Sequence, residues 1–309
     1  MIEFFTDTLT LIAIVSFLAG VINSISGGGG VFLLPSLIAF GLPPINALVV
    51  NRVVDAGVIT GALGNYWKAV SNTKLMKFII PFSILMGVAA FFGSSAIASA
   101  EQNLQTELVV IASLFATLIL LFKIIPQEQY LILMVAIIFS IGGVAGARII
   151  VFIPENIQKV LIIAAVIIVA LLIMFPPQKI FSKNKSNPKF FGYLGVVLLF
   201  LVGAWSGAFA MAGATMGVLV LVHLFNKSYV EARGLELASS VPETLISTSI
   251  LYFASTVAPI HMVVSFGAAI IGAWCGSKFA VNVGEKVFKI FIAIIGISMS
   301  LKILIDFLI

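Results

Sequence analysis

Charged side chains and cysteine are scarce in this 309-residue chain. Lys and Arg number 17, Asp and Glu 12, and together they make up 9% of the residues, against about 25% in a typical soluble domain. A soluble globular protein is excluded, because its surface would need more polar cover than this chain can supply. Cys275 stands alone, so neither a disulfide framework nor a thiolate metal cluster can form. The two histidines, His223 and His261, fall near segment ends and match no carboxylate at metal-site spacing. No nucleophile and base pair, metal ligand set or cofactor motif stands out. The expectation is a chain that is not an enzyme, holds no metal and needs no cofactor. The net charge of +5 comes from lysines gathered in a few short stretches, which reads as membrane topology rather than nucleic-acid binding.

Apolar residues fill the rest, at 61% of the chain. A helix needs about 20 of them to cross a hydrocarbon layer of about 30 Å. Runs bounded by Pro, Gly or charge recur at 8–26, 31–41, 45–66, 75–98, 106–125, 129–152 and 156–175. After a polar stretch they resume at 190–211, 215–225, 230–254, 260–281 and 286–308. The whole chain is therefore expected to lie in the lipid bilayer, as a first half over 1–175, a cytoplasmic linker over 176–189 and a second half over 190–309. A single-span anchor is excluded. The run 8–26 has no basic leader and no small-residue cleavage site, so it reads as a span and not as a removable signal peptide.

Short cytoplasmic loops retain positive charge. Lys68, Lys74 and Lys77 follow the third run, and Lys179, Lys183, Lys185 and Lys189 follow the seventh. Both stretches are placed inside, and four spans separate them, the even number that two same-side loops require. Counting back from Lys68 puts the N-terminus outside. Counting forward puts Lys227 and the cluster Lys278, Lys286 and Lys289 inside.

The two halves resemble each other. Phe17 to Asp55 reads as an apolar helix, a glycine-rich break, a short helix, a turn and a longer helix with polar groups, and Leu201 to Ser240 repeats that order. A second match, at an offset of about 130, pairs Gly142, Gly146, Arg148, Glu155 and Lys159 with Gly272, Gly276, Lys278, Glu285 and Lys289. The loop count sends 129–152 outward and 260–281 inward, so the repeats are inverted. Inverted repeats in helical membrane proteins accompany alternating access, with the binding site at the midplane where broken helices meet. On this count 75–98 and 106–125 form an extra hairpin in the first half.

The runs 31–41 and 215–225 hold eleven residues each, which at 1.5 Å per residue reach about half the bilayer. Each follows a break, Gly27-Gly28-Gly29-Gly30 in one half and Ala212-Gly213-Ala214-Thr215 in the other. A helix start with little side chain before it leaves amide hydrogens and the positive end of the helix dipole open to an anion. Two such ends, entering from opposite faces, would form an anion cradle. The bland alternative for the glycines is close helix packing.

Ionised groups within a span cost at least about 2.5 kcal/mol, so they face partners, water or substrate. Asn51, Arg52 and Asp55 lie in the run 45–66. Arg52 and Asp55, three apart, can pair on one face; alternatively Arg52 offers its guanidinium fork to an oxyanion, with Asn51 donating beside it and Asp55 holding it in place. Asn23, Ser24 and Ser26 are candidate further donors. In the run 230–254, Glu231 and Arg233 are expected near the cytoplasmic end in solvent. Glu236 and Glu243, seven apart on one face, are either hydrogen-bonded neutral acids or proton carriers of the kind that pumps and transporters use. Pro242 can kink the helix beside Glu243.

The run Ala19-Gly20-Val21-Ile22-Asn23-Ser24-Ile25-Ser26-Gly27-Gly28-Gly29-Gly30, with Pro35, Gly41-Leu42-Pro43-Pro44, Ala47 and Asn51-Arg52, resembles the first-half signature of the sulfite exporter TauE/SafE family, also called the four-toluene sulfonate uptake permease family. The resemblance is specific mainly over 17–55. It implies an inner-membrane permease of two related halves that moves sulfite, sulfoacetate or another organosulfonate. In the second half Glu236-Leu237 stands where that family tends to carry a Ser-Lys-like pair, which turns attention to proton coupling through Glu236.

The expectation is thus an all-α polytopic membrane protein with two inverted repeats and discontinuous short helices. It would transport a small sulfur-containing anion. Candidate binding residues are Asn23, Ser24, Ser26, Gly27, Gly28, Gly29, Gly30, Asn51, Arg52, Gly213 and Thr215, and candidate coupling residues are Asp55, Glu236 and Glu243. Another small anion such as a carboxylate, a channel, and a non-transport membrane assembly factor are the alternatives.

Overall fold

The computed structural model describes residues 2–67, 130–174, 188–225, 227 and 229–280, and among them every regular element is a helix. In chain order these are α1 (Ile2–Ser26), α2 (Gly29–Ala39), α3 (Pro44–Trp67), α4 (Tyr130–Phe152), α5 (Glu155–Met174), α6 (Pro188–Phe209), α7 (Gly213–Leu224), α8 (Tyr229–Phe253) and α9 (Pro259–Ala280). The expected segments 75–98, 106–125 and 286–308, most of the linker 176–189, and Glu285 and Lys289 of the second repeat match lie outside the described residues.

Proline sets several helix starts. Pro44, Pro188 and Pro259 each occupy the first residue of a helix, where the missing amide hydrogen costs nothing and the fixed φ suits the first turn. Between α4 and α5 the buried Gln158 side chain donates to the carbonyls of Ile150 at 3.0 Å and Ile153 at 2.8 Å, satisfying the C-terminal end of α4.

Among the described residues, Thr8–Ile25, Pro44–Tyr66, Met134–Phe152 and Pro259–Phe279 are long and apolar enough to cross a membrane. Together with the all-helical architecture they make this an all-α polytopic membrane protein. Helix α8 matches them in length but is far more polar. It turns that polarity inward: Ser239, Ser240, Glu243, Thr244, Ser247 and Ser249 are all buried.

Glycine contacts expose the internal symmetry. Gly20 of α1 lies against Ala269 of α9, and Gly203 of α6 lies against Phe139 of α4. Gly272 and Gly276 face Phe17 and Val21, while Gly142 and Gly146 face Phe200 and Ala204. The glycines paired at an offset of 130 in the sequence thus make the same approach to the two equivalent helices. In both couples the contacts advance together along the chain, so α9 runs parallel to α1, and α4 parallel to α6. Asn65 donating to Ser277 at 2.7 Å, with Gly57 and Gly61 against Phe266 and Ile270, makes α3 parallel to α9 as well. By contrast α3 and α8 are antiparallel: Asn46 meets Thr256 and, further on, Arg52 meets Glu243. The two halves are therefore upside down relative to each other. Each also borrows a helix, since α9 packs on α1 and α3, and α4 on α6 and α8.

Both expected breaks are present. Helix α1 ends at Ser26, Gly27 turns with φ +75°, and α2 starts at Gly29. Gly29 and Gly30 therefore belong to the first turn of α2. The second break sits earlier than expected: it spans Ala210 to Ala212, and Gly213, Ala214 and Thr215 open α7. Ala210 and Ala212 adopt φ of 50° and 54°, a left-handed geometry that costs a residue with a side chain about 1–2 kcal/mol.

Candidate anion site

The two breaks touch. A side-chain carbon added at Gly27 would lie 2.9 Å from the Thr215 amide nitrogen, and one at Gly30 would strike the Ala210 carbonyl. Neither Gly28 nor Ala212, the residues that cap α2 and α7, makes a side-chain cap bond to its helix. The starts of both short helices thus lie at the place where the two breaks meet. Asn51 fastens this arrangement by donating from Nδ2 to the Ala210 carbonyl.

At that centre lies a cavity of about 40 Å³, room for a water or two. Asn23, Gly27, Gly30, Arg52, Asp55, Gly213, Glu236 and Glu243 all contribute to its wall, so most of the residues expected to bind or couple are brought together. Ser24, Gly28, Gly29, Asn51 and Thr215 are not among the residues that line it. Ser24 donates to the Val21 carbonyl of its own helix at 2.8 Å, and Gly29 packs on Ala19 and Asn23. The Ser26 side chain lies outside the described residues.

Arg52 finds a stronger partner than the one its spacing suggests. Its Nη1 is 3.9 Å from Asp55, but Nη1 and Nη2 lie 3.1 and 2.9 Å from the two carboxylate oxygens of Glu243. Nη2 also donates to the Ser206 carbonyl, in the last turn of α6. Ser247 supports Glu243 by donating to Oε1 at 3.1 Å. Asp55 instead accepts from Asn23 Nδ2 at 2.7 Å.

Arg233 corrects an expectation. Sequence position suggested a solvated cytoplasmic end, yet its side chain is buried and on the cavity wall. It pairs with Glu236 at 2.5 Å and donates to the Asn23 carbonyl at 2.6 Å, in the last turn of α1. Burial is possible because the charge is paired and both terminal nitrogens of the guanidinium find acceptors. Glu231 does stay at the surface, paired with Lys227 at 2.7 Å. One sequence signal could have found Arg233: Arg52 and Asp55 recur as Arg233 and Glu236, with the same spacing of three and in the equivalent helix.

Of the tryptophans, Trp205 is a packing residue, its ring 4.8 Å from Phe209 and its indole donating to the Met211 carbonyl at 3.1 Å. Trp274 is half exposed with Lys278 over its ring.

Comparison with known proteins agrees with this architecture. The family model described as sulfite exporter TauE/SafE matches residues 12–130 and again 127–303. Over 96% of this chain there is 22% identity to "Probable membrane transporter protein ORF9" of Sinorhizobium sp, covering 93% of that protein. "Probable membrane transporter protein YfcA" of Escherichia coli strain K12 is also 22% identical, over 96% of this chain and 90% of its own length. A "Probable membrane transporter protein" of Haemophilus influenzae is 33% identical over a 75-residue stretch. No solved structure matches. A membrane protein of inverted halves with two family matches end to end, this chain belongs to the sulfite exporter TauE/SafE family.

Proposed function

We propose that this transporter moves a small sulfur-containing anion, such as sulfite, sulfoacetate or another organosulfonate, by alternating access of its two halves. One observation carries the reading: the two helix breaks meet at a cavity walled by the buried Arg52. Amide hydrogens and a guanidinium are donors suited to an oxyanion, and inverted halves around a midplane site are the architecture of alternating access. The family description supplies the sulfur chemistry. In this reading 1–175 and 190–309 are the moving halves, joined by a cytoplasmic linker, in a bacterial inner membrane with the N-terminus outside.

Anion and proton are linked through the carboxylates. Glu243 occupies the fork of Arg52, so an anion can use that fork only when Glu243 gives it up, and a proton on Glu243 releases it. Glu236 pairs with Arg233 through Nη1 alone, while Asp55 positions Asn23.

The test is flux into liposomes holding the full chain. Arg52→Leu is expected to abolish flux of the sulfur anion per folded molecule. Wild-type flux in that variant removes Arg52 from the site. A carboxylate as the true substrate is the second reading, because helix ends and guanidinium forks recognise charge before shape; competition by a panel of sulfonates and carboxylates separates the two. Saturating flux that responds to a pH gradient separates a carrier from a channel.

A further inference from the structure

The two arginines are a symmetric pair. Arg52 of α3 donates to the Ser206 carbonyl of α6, and Arg233 of α8 donates to the Asn23 carbonyl of α1. Each thus reaches into the opposite half and takes hold of the last turn of its broken helix. Each also carries an acid three residues later, Asp55 and Glu236. Both side chains are buried on the wall of one cavity, and both leave the Nε hydrogen without a partner. A buried guanidinium donor left unpaired is costly, and an oxyanion between the two arginines would satisfy both at once.

Resting on the anion-transport reading above, we infer that Arg52 and Arg233 together form a site for a doubly charged oxyanion, with Glu243 and Glu236 holding the two forks until the anion arrives. The charge count is consistent with this. Two arginines and the three carboxylates of Asp55, Glu236 and Glu243 sum to −1. When a dianion enters and Glu236 and Glu243 each take one proton from the same aqueous side, the sum is again −1. The groups facing the two glutamates across the cavity are Arg52 and Asp55 of α3, Asn23 of α1 and Ser206 of α6. Gly143 of α4 lies against Glu243, and Gly217 of α7 against Glu236.

Sulfoacetate and ethanesulfonate share a sulfonate and are similar in size, but carry two charges and one. Binding and flux of both are measured on the full chain in liposomes. Wild-type protein is expected to take sulfoacetate, with two protons per anion and a rate unchanged when the membrane potential is clamped. Arg233→Gln should weaken sulfoacetate at least about tenfold, the scale of one charge-assisted contact, and ethanesulfonate far less. Glu236→Gln keeps the shape and frees Arg233, so it should tighten sulfoacetate and lower the proton count to one. Equal losses for both anions in Arg233→Gln, or unchanged sulfoacetate affinity in Glu236→Gln, would overturn the two-arginine site. If wild type carries ethanesulfonate and refuses sulfoacetate, this inference alone fails. If it carries no anion, the proposed function fails with it.

Discussion

Arg52 and Glu243 stand 191 positions apart in the chain and meet through two hydrogen bonds of 3.1 and 2.9 Å, both side chains 1% exposed. The pair joins α3 to α8 across the boundary between the inverted halves. Removing one partner of a buried ion pair strands the other and costs about 3–5 kcal/mol, whereas replacing both with apolar groups can be nearly neutral. Glu243→Ala is therefore expected to lower the melting temperature sharply in detergent. The double variant Arg52→Leu with Glu243→Leu should recover most of the loss. A double variant less stable than Glu243→Ala would show that the pair does not act as a unit.

Helix approach through glycine gives a second prediction. A side-chain carbon at Gly146 would collide with the Ala204 carbonyl, while one at Gly267 would meet nothing within 4 Å. Gly146→Ala must push α4 from α6 and should destabilise by about 1–3 kcal/mol, as overpacking does. Gly267→Ala should leave the melting temperature unchanged or slightly raised. Equal effects would contradict the close α4–α6 contact.

Gly27 and Gly41 allow the break to be tested apart from backbone strain. Both have positive φ, 75° and 87°, but only Gly27 presses on the other break, through Thr215 and Ala214. Alanine at either position carries about 1–2 kcal/mol of left-handed strain. Flux per folded molecule should fall several-fold in Gly27→Ala and stay near wild type in Gly41→Ala. A matched loss in both would mean that strain alone matters.

Asn51 offers a fourth test. Its side chain holds the Ala210 carbonyl of the second break, and Asn51→Leu would leave that buried acceptor unmet at a cost of about 1–3 kcal/mol. Hydrogen exchange across 206–216 should speed up, while peptides from α5 remain as protected as in wild type. Unaltered exchange around 210 would mean that the break holds its shape without Asn51.

Much of this molecule was legible in its sequence because the membrane constrains it so tightly. Among the described residues, helix bounds came within a few residues of the observed ones, since Pro44, Pro188 and Pro259 punctuate the apolar runs; the exception is α1, which begins at Ile2 where the apolar run begins at 8. The repeat at Gly142 and Gly272 was visible as spacing, and the contacts explain it: only glycine permits that approach of helix backbones. The site was half legible. Arg52 and Asp55 stood out as charges in an apolar field. Their true partners, Glu243 and Asn23, could not be read from spacing, because contact between residues 191 and 32 apart depends on how helices cross. Arg233 was misplaced because Lys227 and Glu231, close by, do face solvent. The second break was displaced by two residues because alanines, not glycines, take its left-handed turns.

The exchange of α4 and α9 between the halves bears on biosynthesis. Helices α1 and α3 leave the ribosome well before α9, and the strip of Gly272 and Gly276 that seals against α1 emerges more than two hundred residues after them. An early bundle must therefore wait in the bilayer with one flank uncovered. Separately expressed halves would each lack the helix that closes them, and only co-expression should restore the pair.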